Sequence, residues 1–177
     1  GLLYLGMSPH FACLDPGSGE VVWVRDDFGD RDWVASYPSP AGFEDAVVIA
    51  FHGVETNLVV VEKDTGKSVW ENEEHKTFRI STTPVVAPDG SIYVVSGATL
   101  VRAFDVRTGT VLWKSDLSRT RCVASPALDG DRLYVPTGDG TLHALDPASG
   151  GEMWSWESGE GLASFNPYLR GGKGQCS

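Results

Sequence analysis

The sequence predicts an all-β fold in which four-stranded antiparallel blades repeat around an axis, a β-propeller, and three observations predict it. A skeleton of Asp, Gly and Trp, seen whole in ALDPASGGEMW (Ala144–Trp154), is written four times. The recurring tryptophans, Trp23, Trp70, Trp113 and Trp154, fall 47, 43 and 41 residues apart, a period in the range of a propeller blade. Each period holds short runs rich in β-branched and aromatic residues, bounded by turn chemistry. With 177 residues the chain is long enough for one domain with a sizeable core. Its 21 glycines and 10 prolines read as frequent turns between dense apolar runs.

Labelling the strands of a blade A (inner) to D (outer), the run from Gly1 to Gly6 is a B strand. The unit CLDPGSGEVVW (Cys13–Trp23) supplies the C and D strands of that first blade, residues 1–35. The second blade, 36–78, carries VVEKDTGKSVW (Val60–Trp70). The third, 79–120, shows all four pieces. TTPVVA is the A strand, SIYVV the B strand, LVRAFD the C strand and TVLWKS the D strand. The fourth, 121–160, ends on Trp154 and is followed at 161–170 by SFNPYL, which aligns with the A strands. Turns this short join antiparallel neighbours. Two architectures follow. The last A strand closes a four-bladed ring by pairing with the first B strand, or the chain is a segment of a larger ring and associates to complete it. Closure in either form hides strand edges.

The repeated turn has a local cause. Asp15, Asp105 and Asp146, with Glu62 in the second unit, open the turn by accepting hydrogen bonds from backbone N–H groups. Gly19, Gly66, Gly109 and Gly150 supply the positive φ that closes it. Each Trp then offers an apolar plane and one N–H donor to the neighbouring blade.

These units resemble the tryptophan-docking repeats of the pyrroloquinoline quinone (PQQ)-like β-propellers. AFDVRTGTVLW and ALDPASGGEMW match in full, CLDPGSGEVVW has Cys13 for Ala, and VVEKDTGKSVW has Val60 for Ala and Glu62 for Asp. The resemblance covers nearly the whole chain and implies a ring of usually eight blades. It implies several functions, among them quinoprotein dehydrogenases, an outer-membrane assembly lipoprotein and sensor domains, and so does not choose one. It also implies an extracytoplasmic location, periplasmic or secreted.

The dehydrogenases of that family hold PQQ with an adjacent Cys-Cys disulfide, a stacking Trp and a calcium site beside an Asp base. Here Cys13, Cys122 and Cys176 are far apart in sequence, and Trp33 and Trp156 lack the accompanying set. The sequence therefore supports no PQQ or calcium site, no catalytic residues and no cofactor. Asp26, Asp27, Asp30 and Asp32 read as a solvated acidic loop. His10, His52, His75 and His143 are scattered over the units, and no metal site is expected; His143 aligns with Arg102 as a strand-face residue.

Fourteen basic against 24 acidic residues give a net charge of −10, which disfavours nucleic acid and anionic membrane surfaces as partners. No apolar run approaches the ~18 residues that span a bilayer. The chain opens on Gly1 inside a strand-like run, so the expectation is that the numbering begins after something removed. One set of positions reads as a binding site. Five residues before the aligned prolines stand Trp33, Arg79, Arg121 and Leu162, at the mouth of the expected channel. Arg79 and Arg121 could cradle an anion or a partner's carboxylate, or pair with Glu73, Glu74 or Asp116. The expected function is a non-catalytic module that binds or scaffolds a protein or peptide. The alternatives are a fragment of a quinoprotein dehydrogenase and a sensor or docking domain of a larger protein.

Overall fold

Short apolar runs stopped by Gly, Pro and Asp cannot extend into long strands, and the computed structural model shows strands of two to six residues. It describes residues 1–7, 10–27, 38–50, 57–72, 80, 82–96, 99–117, 121–122, 124–158 and 175–176. The first sheet has three antiparallel strands, β1 (Leu3–Met7), β2 (His10–Leu14) and β3 (Val21–Arg25). Three four-stranded antiparallel sheets follow. One is built from β4 (Ala41–Phe43), β5 (Ala46–Ala50), β6 (Leu58–Glu62) and β7 (Ser68–Glu71), in that order. The next runs β8 (Val85–Val86), β9 (Ser91–Val95), β10 (Leu100–Asp105) and β11 (Val111–Asp116). The last runs β13 (Ala127–Asp129), β14 (Arg132–Pro136), β15 (Thr141–Leu145) and β16 (Glu152–Glu157).

The fold is thus all-β with blade-like sheets. A further short strand, β12 (Arg121–Cys122), pairs in parallel with β17 (Gln175–Cys176), placing Cys122 opposite Cys176 in register. No repeat unit in the sequence marks a strand at 175–176. The candidate last inner strand, SFNPYL, lies outside the described residues.

The sheets stack face to face, and this explains their composition. β5 (AVVIA) is buried at every position and β6 (LVVVE) at its first four. A strand covered on both faces is a continuous apolar run rather than an alternating one. Between the first and second sheets lie Phe11, Cys13 and Trp23 against Val47, Ile49, Val59 and Val61. Between the second and third, Val48 and Val60 meet Ile92, Val94 and Phe104. Between the third and fourth, Tyr93, Val95 and Val101 meet Leu133, Val135 and Leu145. Each fully buried Val, Ile or Leu contributes about 1.5–3 kcal/mol relative to exposure, so the core is distributed over the junctions rather than concentrated in one centre.

The C–D pairing carries the same irregularity in all four sheets. Register slips after Cys13, Val60, Ala103 and Ala144, each directly opposite its Trp. A bulge adds one residue to the outer strand and increases its twist. It also moves the first residues of the outer strand to the opposite face from the Trp. Val111 reaches the core beneath the preceding sheet for that reason.

Candidate functional site

Of the channel-mouth positions, Trp33, Arg79 and Leu162 lie outside the described residues. The backbone of Arg121 is placed in β12, opposite Gln175. The described geometry is richest at the junctions between sheets, where the repeated turns stand.

In the turn, Asp15 Oδ1 accepts from the Gly17 and Ser18 amides at 2.7 and 2.9 Å. Asp105 Oδ1 does the same for Arg107 and Thr108 at 2.9 and 2.7 Å, and Asp146 Oδ1 for Ala148 at 2.9 Å. Glu62 is one methylene longer, and its carboxylate instead accepts from Thr65 Oγ1 at 2.5 Å. In every copy the glycine amide donates back to the carbonyl of the acidic residue, at 2.8–3.0 Å, with glycine φ between 69 and 74°.

The turn of one sheet receives the indole of the sheet before it. Trp23 Nε1 donates to Lys63 O, Trp70 Nε1 to Val106 O and Trp113 Nε1 to Pro147 O, each at 2.8 Å. The indole planes lie so close on Gly66, Gly109 and Gly150 that a Cβ there would sit 2.6, 2.7 and 2.4 Å from ring atoms. Tyr4 and Tyr93 stand beside Trp23 and Trp113 and direct their hydroxyls to the same carbonyls, at 3.5 and 3.2 Å.

Hydrogen bonds to the charged form hold the Asp15 and Asp105 carboxyls below the ordinary value, first from the Ser18 and Thr108 amides respectively. Asp146 is lowered first by the Ser149 hydroxyl, and Glu152 by His143. A carboxyl with a depressed folded-state value adds stability above its unfolded value, and that stability is lost as pH falls through the folded value. Thermal stability is therefore expected to be flat from neutral pH down to about pH 5 and to fall below about pH 4. Asp105→Asn keeps the acceptor without the titration, so melting curves across pH should show a shallower acid limb for this variant. An acid limb as steep as the wild type's would remove Asp105 from the account.

Three features carried no periodic signal in the sequence. Arg25 clamps the first junction, donating to Gly66 O at 2.8 Å and Ser68 Oγ at 3.0 Å while its Nε meets Asp27 at 2.6 Å. Asp27 is thus an ion-pair partner whose side chain stays largely exposed, at 59%. His143 is 8% exposed, and its Nδ1 lies 2.7 Å from Glu152 Oε2. On its other side Thr137 Oγ1 is 3.4 Å from Nε2 and donates to Asp139 at 2.5 Å. Thr137 is 1% exposed, so no substrate reaches that hydroxyl, and the network ties the B–C loop to the outer strand. Between the second and third sheets a cleft of about 240 Å³ is lined by Phe43, Asp45, Glu62, Val69 and Arg107 among others, with Arg107 paired to Glu44. It falls below the ~300–1,000 Å³ of small-molecule sites. Among the described residues no three His, Cys, Asp or Glu side chains gather as a metal site.

Stacked four-stranded sheets locked by indole-to-turn contacts define the class: a β-propeller repeat protein. The family model described as outer membrane protein assembly factor BamB matches residues 9–161, and the chain belongs to this family of PQQ-like repeat proteins. It is 35% identical over 109 residues to the quinohemoprotein alcohol dehydrogenase of Comamonas testosteroni, covering 56% of this chain and 15% of that protein. It is 27% identical over 154 residues to the outer membrane protein assembly factor BamB of Shewanella oneidensis, covering 77% of this chain and 37% of that protein. Among solved structures, BamB of Moraxella catarrhalis superimposes with a TM-score of 0.67 at 22% identity, over 85% of this chain and 47% of that one. The chain spans well under half the length of the curated relatives it matches.

Proposed function

We propose that the chain is a non-catalytic β-propeller module that binds or scaffolds a protein or peptide partner in an extracytoplasmic compartment. The observation that carries this reading is where the repeat spends its polar side chains. The turn carboxylates, the indoles of Trp23, Trp70 and Trp113, and the His143–Glu152 pair are all engaged in holding strands and sheets together. What is left is a rigid frame presenting loops, an arrangement suited to recognition. A relative named as an assembly factor supports a protein partner.

The second reading, a piece of a quinoprotein dehydrogenase, is favoured by the 35% identity to the Comamonas enzyme. Against it, three of the repeat indoles already lie on glycine turns, and among the described residues no three His, Cys, Asp or Glu side chains gather to receive the ion. Calorimetric titration with PQQ and Ca²⁺, followed by alcohol and an electron acceptor, is expected to give neither heat nor turnover. Saturable PQQ binding or turnover would replace the binding-module reading with the enzymatic one. In parallel, a peptide array that includes acidic sequences is expected to yield a ligand whose affinity drops at least tenfold in the Arg79→Ala, Arg121→Ala double variant. An unchanged affinity would remove the arginine pair as the binding site.

A further inference from the structure

Three junctions between successive sheets share one construction, and the chain carries both halves of a fourth. On the outgoing half, Tyr134 and Trp154 stand 5.9 Å apart between ring centroids, as Tyr4–Trp23 and Tyr93–Trp113 do at 6.0 and 5.8 Å. Yet Trp154 is 41% exposed and Trp156, on the same face, 53%, whereas Trp23 is 9% exposed. On the incoming half, Leu3 is the register equivalent of Val47, Ile92 and Leu133. Those three are at most 1% exposed because a preceding sheet covers them, while Leu3 is 44% exposed. Val21 and Val24 extend this open apolar face. The turn above it is complete as well. Gly19 has φ 74°, like its three counterparts, but a Cβ on it would meet nothing within 4 Å. Pro16, next after Asp15, is the sequence counterpart of Lys63, Val106 and Pro147, whose carbonyls accept the indoles in the occupied turns.

We propose that the two faces bind each other between two copies of this chain, head to tail, the Trp154 of each copy seating on the Asp15–Gly19 turn of the other. The recognition is specific in kind. An indole seeks both a flat positive-φ glycine and a carbonyl in line with its N–H, and a generic apolar surface offers neither. Within one copy the faces are apart, since Trp154 remains exposed and nothing among the described residues lies on Gly19. Two copies joined at both faces form a closed ring about a twofold axis, with no open face left over. The chain covers 47% of the Moraxella propeller, so two copies bring the number of repeats close to that of a whole ring.

Light scattering on the 177-residue chain over a range of concentrations tests this. The wild type is expected to reach twice the 19.0 kDa chain mass. Trp154→Ala removes one half of the junction and Leu3→Asp the other. Both positions are exposed in a single copy, so each variant should fold and run at the single-chain mass, with association weakened at least a hundredfold. An equimolar mixture of the two variants retains one native junction and should regain the doubled mass at higher concentration, which two copies of either variant cannot do. A wild type that stays at the single-chain mass throughout, closed on itself or open, overturns the proposal. So does a doubled mass that survives both substitutions, or a mixture that regains nothing.

Discussion

Trp113→Ala is expected to lower the unfolding free energy by about 3 kcal/mol, the lower end of the range for removing a large aromatic from a core. Trp113 is half-buried, packs on Gly150 and donates to Pro147 O, so its loss opens a cavity and leaves that carbonyl with only the longer bond from the Tyr93 hydroxyl. Trp154→Ala, in the same motif and the same strand position, should cost less than about 1 kcal/mol in dilute single chains. Its ring is 41% exposed and seats on none of the described glycine turns. Urea unfolding at low protein concentration reads both variants against the wild type, with unchanged m-values as the check that the unfolded states match. Similar losses for the two variants would mean that Trp154 is covered in solution, by the chain itself or by another copy.

The fold was legible because the sequence repeats. A period near 43 residues with four β-rich runs admits few solutions, and the sheets β4–β7, β8–β11 and β13–β16 fall where the aligned runs stand. The three-stranded first sheet was legible for the same reason: Leu3–Met7 aligns with the B strand of the third unit, Leu3 on Ile92 and Tyr4 on Tyr93. What could not be read is what does not repeat. The place of Arg25 is taken by Asn72, Ser115 and Trp156 in the other units, so its clamp on Gly66 leaves no periodic trace. His143 was placed on a strand face, but its partner was hidden by the bulge. Counted along an unbroken strand, Glu152 shares the face of Trp154. The register shift after Ala144 sets it opposite Leu145 instead, on the face of His143. The channel-mouth set of Trp33, Arg79 and Arg121 comes from loop alignment, where no strand periodicity constrains side-chain direction, and of the three only the backbone of Arg121 is described.

Gly150→Ala should be the most damaging added methyl group among the described glycines, and Gly19→Ala supplies its control. Both glycines close the same turn with nearly the same backbone, φ 72° and 74°. An L-residue in that conformation costs about 1 kcal/mol, and the two variants share this cost. They differ in what the new methyl meets. At Gly150 it lies 2.4 Å from Trp113 Cε3, far inside van der Waals contact, and the indole cannot retreat without giving up Pro147 O. Overpacking of this kind adds about 1–3 kcal/mol. At Gly19 the methyl meets nothing within 4 Å. The expected result is therefore a loss of about 1 kcal/mol for Gly19→Ala and about 3 kcal/mol for Gly150→Ala, measured by thermal or urea unfolding of dilute protein. The difference isolates the indole contact from backbone strain, because strain is common to both. Equal losses would show that glycine stands in these turns for φ alone and that the stacked indole tolerates a side chain beneath it. Raising the protein concentration adds a further discrimination. If a second copy places its Trp154 on Gly19, the Gly19→Ala loss should grow with concentration toward that of Gly150→Ala, since the methyl then blocks a junction that the dilute chain has not yet formed.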